Sequence, residues 1–510
     1  MKKILKFLKS KLFFIIFSLL VQFFALVFFV SYFSTRFLPI YYLLVLLSFV
    51  VSIIVVNRDS DSSSKILWVL VIMALPFFGG IMYLFFGERK IPKSLMIKDR
   101  QAYSDYKQYA KNNIRVLMSD KGDYILDKMT TLAWSSGFFP VFSNCHIKYF
   151  STGEEQYQDI LIELEKASSF IFLEFFIINH GMMWNTILQI LIDKARIGVD
   201  VRLIYDDFGS ITYLDSNYPE YLNSLGVKCI KFNPVRPQLA MQMNNRDHRK
   251  ILVIDGRVAF TGGCNISDEY INTKIRFGYW KDMGLKFSGQ AVETFTISFL
   301  QIWNYQAAWK SSYSSFVLPS SYFSSYVDKG YIIPFSDSPT DNSNTGKNMH
   351  LSMLNMARNY FWITTPYLIL DSEMINALIL AVNSGVDVRI VVPGIPDKKL
   401  VYQVTKANYE ILIKNGVKIY EYTPGFIHGK VCLSDDRTAL VGSVNMDSRS
   451  YYLHYECGVW MRDTSCIQSI KNDFISIFSD SELIQLQDVQ SISYFVKLAR
   501  NFLKVFSPLL

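Results

Sequence analysis

Features that would mark a metal or thiol site are scarce in this chain. Its 510 residues include six cysteines (Cys145, Cys229, Cys264, Cys432, Cys457 and Cys466), and none forms a C-x-x-C pair or a Cys/His cluster with zinc spacing. Buried, inert thiols are the expectation, free cysteine being among the most buried residue types. Neither a disulfide framework nor redox chemistry follows. No RNP, helix-turn-helix or zinc-finger pattern is present, and the basic residues are not interleaved with aromatics in runs. That argues against a nucleic-acid partner. A cleaved signal peptide fits poorly too: the first apolar run is too long and no small-x-small site follows it.

What the chain has in abundance is apolar surface. Half of its residues are hydrophobic and 15% are aromatic, enough for a large core, with a net charge of +8. A basic balance suits an anionic membrane surface or a phosphorylated substrate. Three uncharged apolar runs, Phe13–Phe33, Leu38–Val56 and Ile66–Phe86, each reach the roughly 20 residues that cross a bilayer core. Pro39, Pro76 and the Gly79-Gly80 pair leave room for one of them to be re-entrant or interfacial. Membrane attachment is therefore expected over residues 1–95, at a multi-pass cell-membrane location. Topology stays open, because lysines before the first run and the Arg89–Arg100 cluster after the third both argue for the inner side.

Beyond residue 95 strands and helices alternate. The apolar run Ser169–Ile178 reads as a buried strand, Trp184–Arg196 as a helix, and Gly198-Val-Asp-Val-Arg202 opens another strand. The same grammar returns at Tyr360–Leu368, Met374–Asn383 and Gly385-Val-Asp-Val-Arg389, an offset of 187 residues. This is an internal duplication of an α/β unit. The polar stretch Ser336–Asn348 reads as the connection between copies. Near the end, Ser491–Leu510 places Phe495, Leu498, Phe502 and Phe506 near one helical face, with Lys497, Arg500 and Lys504 among them. A bilayer-surface helix and a terminal helix docked on the core both fit that pattern.

Each copy ends in the same polar string. His248-Arg-Lys250, Asp255, Gly262 and Asn265 match His428-Gly-Lys430, Asp435, Gly442 and Asn445, both reading H-x-K-x4-D-x6-G-x2-N. Five fixed positions recur by chance about once in a few million starts. His and Lys at i and i+2 on a strand share a face, so both can meet one substrate. A phosphodiester repels nucleophiles, so its transition state needs cations or amide donors. Lys250, Lys430, Asn265 and Asn445 supply them without a metal or cofactor. Two histidines can divide the roles of nucleophile and proton donor. Each also needs an acceptor on its other ring nitrogen, and Asp282 and Glu456, at comparable downstream positions, are the candidates. Asp255 and Asp435 suit a turn as well as chemistry. Glu174, in an apolar strand, is either substrate-facing or ion-paired. His146, His180, His350 and His454 recur in no second copy and are read as structural.

These residues, and the span from about 95 to 510, resemble the phospholipase D superfamily with its paired H-K-D motifs, and within it the bacterial cardiolipin synthases. Tyr205-Asp-Asp-Phe-Gly-Ser210, Thr364-Thr-Pro-Tyr367 and Asn445-Met-Asp-Ser-Arg-Ser450 add to the likeness. The resemblance implies an α/β fold of two similar phospholipase D-type domains in a pseudo-two-fold bilobal arrangement, preceded by N-terminal transmembrane helices. Residues 96–335 would form the first domain, and 336–510 the second with a C-terminal amphipathic helix. It implies a phosphatidyltransferase that condenses two phosphatidylglycerols into cardiolipin and glycerol through a phosphohistidine, with His248 the nucleophile and His428 the acid/base. A membrane phospholipase D releasing phosphatidic acid is the alternative, sharing every catalytic residue. Two departures stand out: a third apolar run, and Ser336-Asp-Ser-Pro339 where the family tends to Ser-Gly-Pro.

Overall fold

The computed structural model describes residues 38–58, 62–75, 78–83, 93–113, 122–235, 245–307, 310–341 and 343–507, with a few isolated positions between 21 and 32. The run Phe13–Phe33 lies almost wholly outside them. Leu38–Val56 is a helix of 19 residues. At 1.5 Å per residue it covers about 28 Å, just short of a bilayer core. Among the described residues the third apolar run is not one helix but two, Ser62–Ala74 and Phe78–Met82, as a proline in its sequence leads one to expect, since proline has no N–H to donate to a preceding turn. Among the described residues no helix is long and apolar enough to cross a membrane, so the expected transmembrane helices appear here as an apolar helical hairpin.

The rest builds two main sheets of one design, with two short two-stranded pairings beside them. The first contains β1 (His146–Phe150), β2 (Phe170–Phe175), β3 (Asp200–Asp206), β4 (Lys228–Phe232), β5 (Lys250–Ile254), β6 (Val258–Gly262) and β7 (Gly284–Ser288). The second contains β8 (Tyr331–Asp337), β9 (Tyr360–Thr364), β10 (Asp387–Pro393), β11 (Lys418–Tyr422), β12 (Lys430–Ser434), β13 (Thr438–Gly442) and β14 (Glu456–Arg462). Spatial order in the first is β1-β7-β6-β5-β2-β3-β4; the second repeats it as β8-β14-β13-β12-β9-β10-β11, with short edge strands added at both ends. In each lobe the β2/β9 strand pairs parallel with β3/β10 and antiparallel with β5/β12. The crossover helices Met182–Arg196 and Ser372–Asn383 connect the parallel strands, as parallel pairing requires. Gly198 and Gly385, at φ 95° and 92°, stand in the left-handed region where each helix hands over to the next strand.

The domain boundary drawn from sequence cuts β8, which pairs along its whole length with β14 of the second sheet. The polar connection is accordingly shorter, running from Ser338 to the helix at Thr345. Between the lobes one buried apolar cluster includes Val253, Met283 and Leu285 on one side and Val431, Val441 and Val459 on the other. Buried carbon surface thus joins the halves as well as building each one.

Candidate active site

His248 and His428 immediately precede β5 and β12, and both line one cleft between the lobes, together with Asn265 and Asn445. Two short backbone pairings across the lobe interface set their positions. The strand Gly425–Ile427 runs parallel to Tyr279–Lys281 of the other lobe, and Asp247 bridges to Tyr455. His428 N–H donates to the Lys281 carbonyl at 2.7 Å, and His248 N–H to the Tyr455 carbonyl at 2.9 Å. Each histidine is thereby delivered beside the residue that follows, an acid in both cases. His428 Nδ1 lies 2.7 Å from Asp282 Oδ2, and His248 Nδ1 lies 2.9 Å from Glu456 Oε1.

The carboxylates are therefore crossed, each lobe's acid holding the other lobe's histidine. Gly263 makes room for one of them: a Cβ there would meet Asp282 Oδ1 at 2.0 Å. The matching residue of the second copy is Ser443, whose hydroxyl bonds Glu456 and accepts from Cys457 N–H at 2.9 Å. With Nδ1 engaged, Nε2 of each ring is left for chemistry.

Lys250 and Lys430 are buried, and each ammonium bonds the carbonyl of its own motif histidine. Burial pushes the Lys250 amine down to about 8 against the pull of Glu456, and Lys430 down to about 7 against that of Asp282. Burial, then the Lys250 charge, holds His248 well below the ordinary imidazole range. Burial and Lys430 take His428 to about 4 against Asp282. The two acids part company. Burial pushes Glu456 up to about 8 despite Lys250, whereas His428 and Lys430 overcome burial at Asp282 and keep it below the usual carboxylate range.

Several candidates lie elsewhere. Asp255 and Asp435 sit at the far ends of β5 and β12, in tight turns at φ 54°. Asp255 accepts from the backbone N–H of Ser168, Ser169 and Phe170 at 2.7–2.9 Å, and Asp435 from those of Arg358, Asn359 and Tyr360 at 2.8–3.0 Å. They tie down the starts of β2 and β9 and touch no part of the cleft. Glu174 is fully buried in an ion pair with Arg249, which also bonds Asp247 and Ser336; its substrate-facing option is thus overturned. Strand alternation explains this, since Arg249 points opposite to His248 and Lys250. Asn265 faces the cleft, its carbonyl held by Ile177 N–H at 3.1 Å and its amide donating to Tyr270 at 2.8 Å.

His454, read from sequence as structural, lines the cleft with its ring 5.6 Å from that of His248. Neither of its nitrogens has a hydrogen-bond partner. Its position two residues before Glu456 was the available signal, because Trp280 stands two before Asp282 and also lines the cleft. Among the described residues, the ligand atoms of His248, His454 and Glu456 lie within 4.8 Å of one another, close enough for an ion. The adjoining charges of Lys250, Arg246 and Arg449 oppose a dication there.

The family model described as cardiolipin synthase, PLD-like domain, matches residues 160–276 and 350–478, and one described as phospholipase D-nuclease N-terminal matches 46–88. An uncharacterized protein of Streptococcus mutans is 42% identical over 89% of this chain and 98% of its own length. A cardiolipin synthase of Alkalihalophilus pseudofirmus is 35% identical, covering 90% and 92%. The crystal structure of phosphatidylserine synthase from Haemophilus influenzae shares the fold, with TM-score 0.56 at 13% identity over 75% of this chain and all of that one.

Proposed function

Because the chain belongs to the phospholipase D-like cardiolipin synthases, we propose that it moves a phosphatidyl group from one phosphatidylglycerol to the glycerol hydroxyl of another, giving cardiolipin and free glycerol. The observation that carries this reading is the pair of histidines in one cleft, each bonded at Nδ1 to the opposite lobe's acid. In the first half-reaction the neutral Nε2 of His248 forms a bond to phosphorus. The phosphorus–oxygen bond to glycerol breaks, and the departing oxygen takes a proton from His428. Asp282, ionised beside His428, stabilises the imidazolium that supplies it. In the second half-reaction His428 takes the proton of the acceptor hydroxyl, the new oxygen–phosphorus bond forms, and the His248–phosphorus bond breaks. Lys250, Lys430, Asn265 and Asn445 neutralise the phosphoryl oxygens in both steps.

The same reading places the enzyme at the cell membrane through its N-terminal hairpin. Leu43, Leu46, Leu47, Phe49, Val50 and Ile53 expose apolar side chains along Leu38–Val56, as a lipid-facing helix would. The test is product analysis by mass spectrometry after incubating purified enzyme with phosphatidylglycerol vesicles. Cardiolipin and free glycerol are expected, and excess glycerol should drive cardiolipin back. Phosphatidic acid as the main product, with no glycerol reversal, would replace this reading with hydrolysis.

A further inference from the structure

The duplicated cleft is symmetric in its reacting groups and asymmetric around them. Three matched positions differ in kind. Two residues before each motif histidine stand Arg246 and Phe426; four after each asparagine stand Glu269 and Arg449; two before each crossed acid stand Trp280 and His454. All six line the same cleft. The crossing sorts them onto opposite sides. His428 has the rings of Trp280, Tyr270 and Phe426 at 5.4, 5.5 and 5.7 Å. His248 faces His454, upon which the charges of Arg449, Lys250, Arg246 and Lys398 all act. The wall around His428 is largely aromatic, with the Arg276–Glu269 pair beside it, and the wall around His248 carries Arg246, Arg449 and Lys398, with Phe176 and the acids Asp447 and Asp397 among them.

The cations of that wall are held in place. Arg246, buried, donates to the Asn233 carbonyl at 3.0 Å, lies 3.5 Å from Asp206, and stacks over Phe208 at 5.2 Å. Lys398, exposed at the mouth, sits 5.1 Å over the Tyr367 ring. Arg449 is half-buried, near Asp447. His454 brings two ring nitrogens without a hydrogen-bond partner, its Nδ1 lying 3.9 Å from Glu456 Oε1. The phosphodiester that reacts is already provided for by Lys250, Lys430 and the two asparagines. A second set of cations in the same cleft therefore suits a second anion.

The proposed reaction contains one. Its acceptor is itself a phosphodiester, and in the product the two phosphorus atoms are separated by a three-carbon bridge spanning about 5–7 Å from ordinary bond lengths. The rings of His248 and His454 are neighbours, 5.6 Å apart, so a phosphate held at His454 would lie in the same cleft as a phosphorus bonded to His248, within the scale of that bridge. We infer that Arg246, Lys398, Arg449 and His454 form a second phosphodiester subsite, which holds the acceptor lipid's own phosphate while its hydroxyl reaches the phosphorylated centre. The inference rests on the activity proposed above and adds where the second lipid is recognised. Water and free glycerol carry no phosphate and gain nothing from this wall, so the wall favours transfer to lipid over transfer to either.

The experiment compares two acceptors on one phosphatidyl-enzyme. Phosphatidylglycerol vesicles with 13C-glycerol report cardiolipin formation and glycerol exchange in a single reaction. Arg449→Gln and His454→Asn should each lower the cardiolipin-to-exchange ratio at least tenfold, and Lys398→Gln, an exposed change that leaves the fold alone, at least fivefold. Ratios within twofold of wild type in all three, or equal loss of both products, would overturn the subsite. A wild-type enzyme that exchanges glycerol but makes no cardiolipin would instead overturn the proposed activity.

Discussion

Replacing Asp282 by asparagine tests the crossed arrangement most directly. Asp282 is fully buried, accepts from His428 Nδ1 at 2.7 Å, and belongs to the lobe that does not contain His428. The amide keeps the shape and removes the charge that stabilises the His428 imidazolium. A charge-assisted hydrogen bond of this kind contributes about 1.5–3 kcal/mol, which sets the expected loss in kcat at roughly 10–150-fold. The same carboxylate raises the Lys430 amine against burial. Its removal should therefore move the alkaline limb of kcat/KM to lower pH. In 15N-histidine spectra of detergent-solubilised enzyme the His428 Nδ1 proton signal should shift while that of His248 stays in place; Glu456→Gln should do the reverse. A perturbation confined to His248 in Asp282→Asn, or a kcat loss below threefold, would refute the crossed roles.

Other outcomes follow from the same geometry. His248→Ala and His428→Ala should each abolish turnover without altering membrane insertion, as judged by fractionation and mass spectrometry of products. Asp255→Ala removes acceptors for three backbone N–H groups and should cost about 1–3 kcal/mol in thermal unfolding, with kcat of the folded fraction within a few-fold of wild type. Those N–H bonds hold the Asp255 carboxyl below its ordinary range despite burial; its stabilisation is present above the unfolded value near 3.9 and lost as pH falls through the folded one. With lysines and amides as the phosphate's partners, EDTA should leave activity unchanged, and restoration of a lost activity by one divalent ion would show that assignment to be wrong.

The duplication was legible in sequence because it is local. The repeated glycine-led strand openings and the His-x-Lys strings fall on strands of matching order, with the apolar residues after each lysine buried as a central strand demands. Asp255 and Asp435 misled because a fixed spacing shows that a residue matters, not what it touches. Five residues beyond Lys250, a strand has carried the side chain to the far edge of the sheet. Asp282 and Glu456 were recognised, but their crossing was hidden, since it depends on pairing between segments far apart in the chain. Arg246 and Lys398 lie outside the motif, and His454 lacked a like residue in the other copy. Only the shared cleft shows that Trp280 is its counterpart.

The crossed acids also bear on ancestry. A single copy of the repeated unit would carry a histidine with no acid to orient it and an acid with no histidine to hold. Neither could assemble a working centre alone, whereas two copies docked about a two-fold axis would complete one another at both positions. Fusion of such a pair into one chain would fix its stoichiometry and release each half from being identical to the other. Arg246 against Phe426, Arg449 against Glu269 and His454 against Trp280 are differences that a true homodimer could never have acquired.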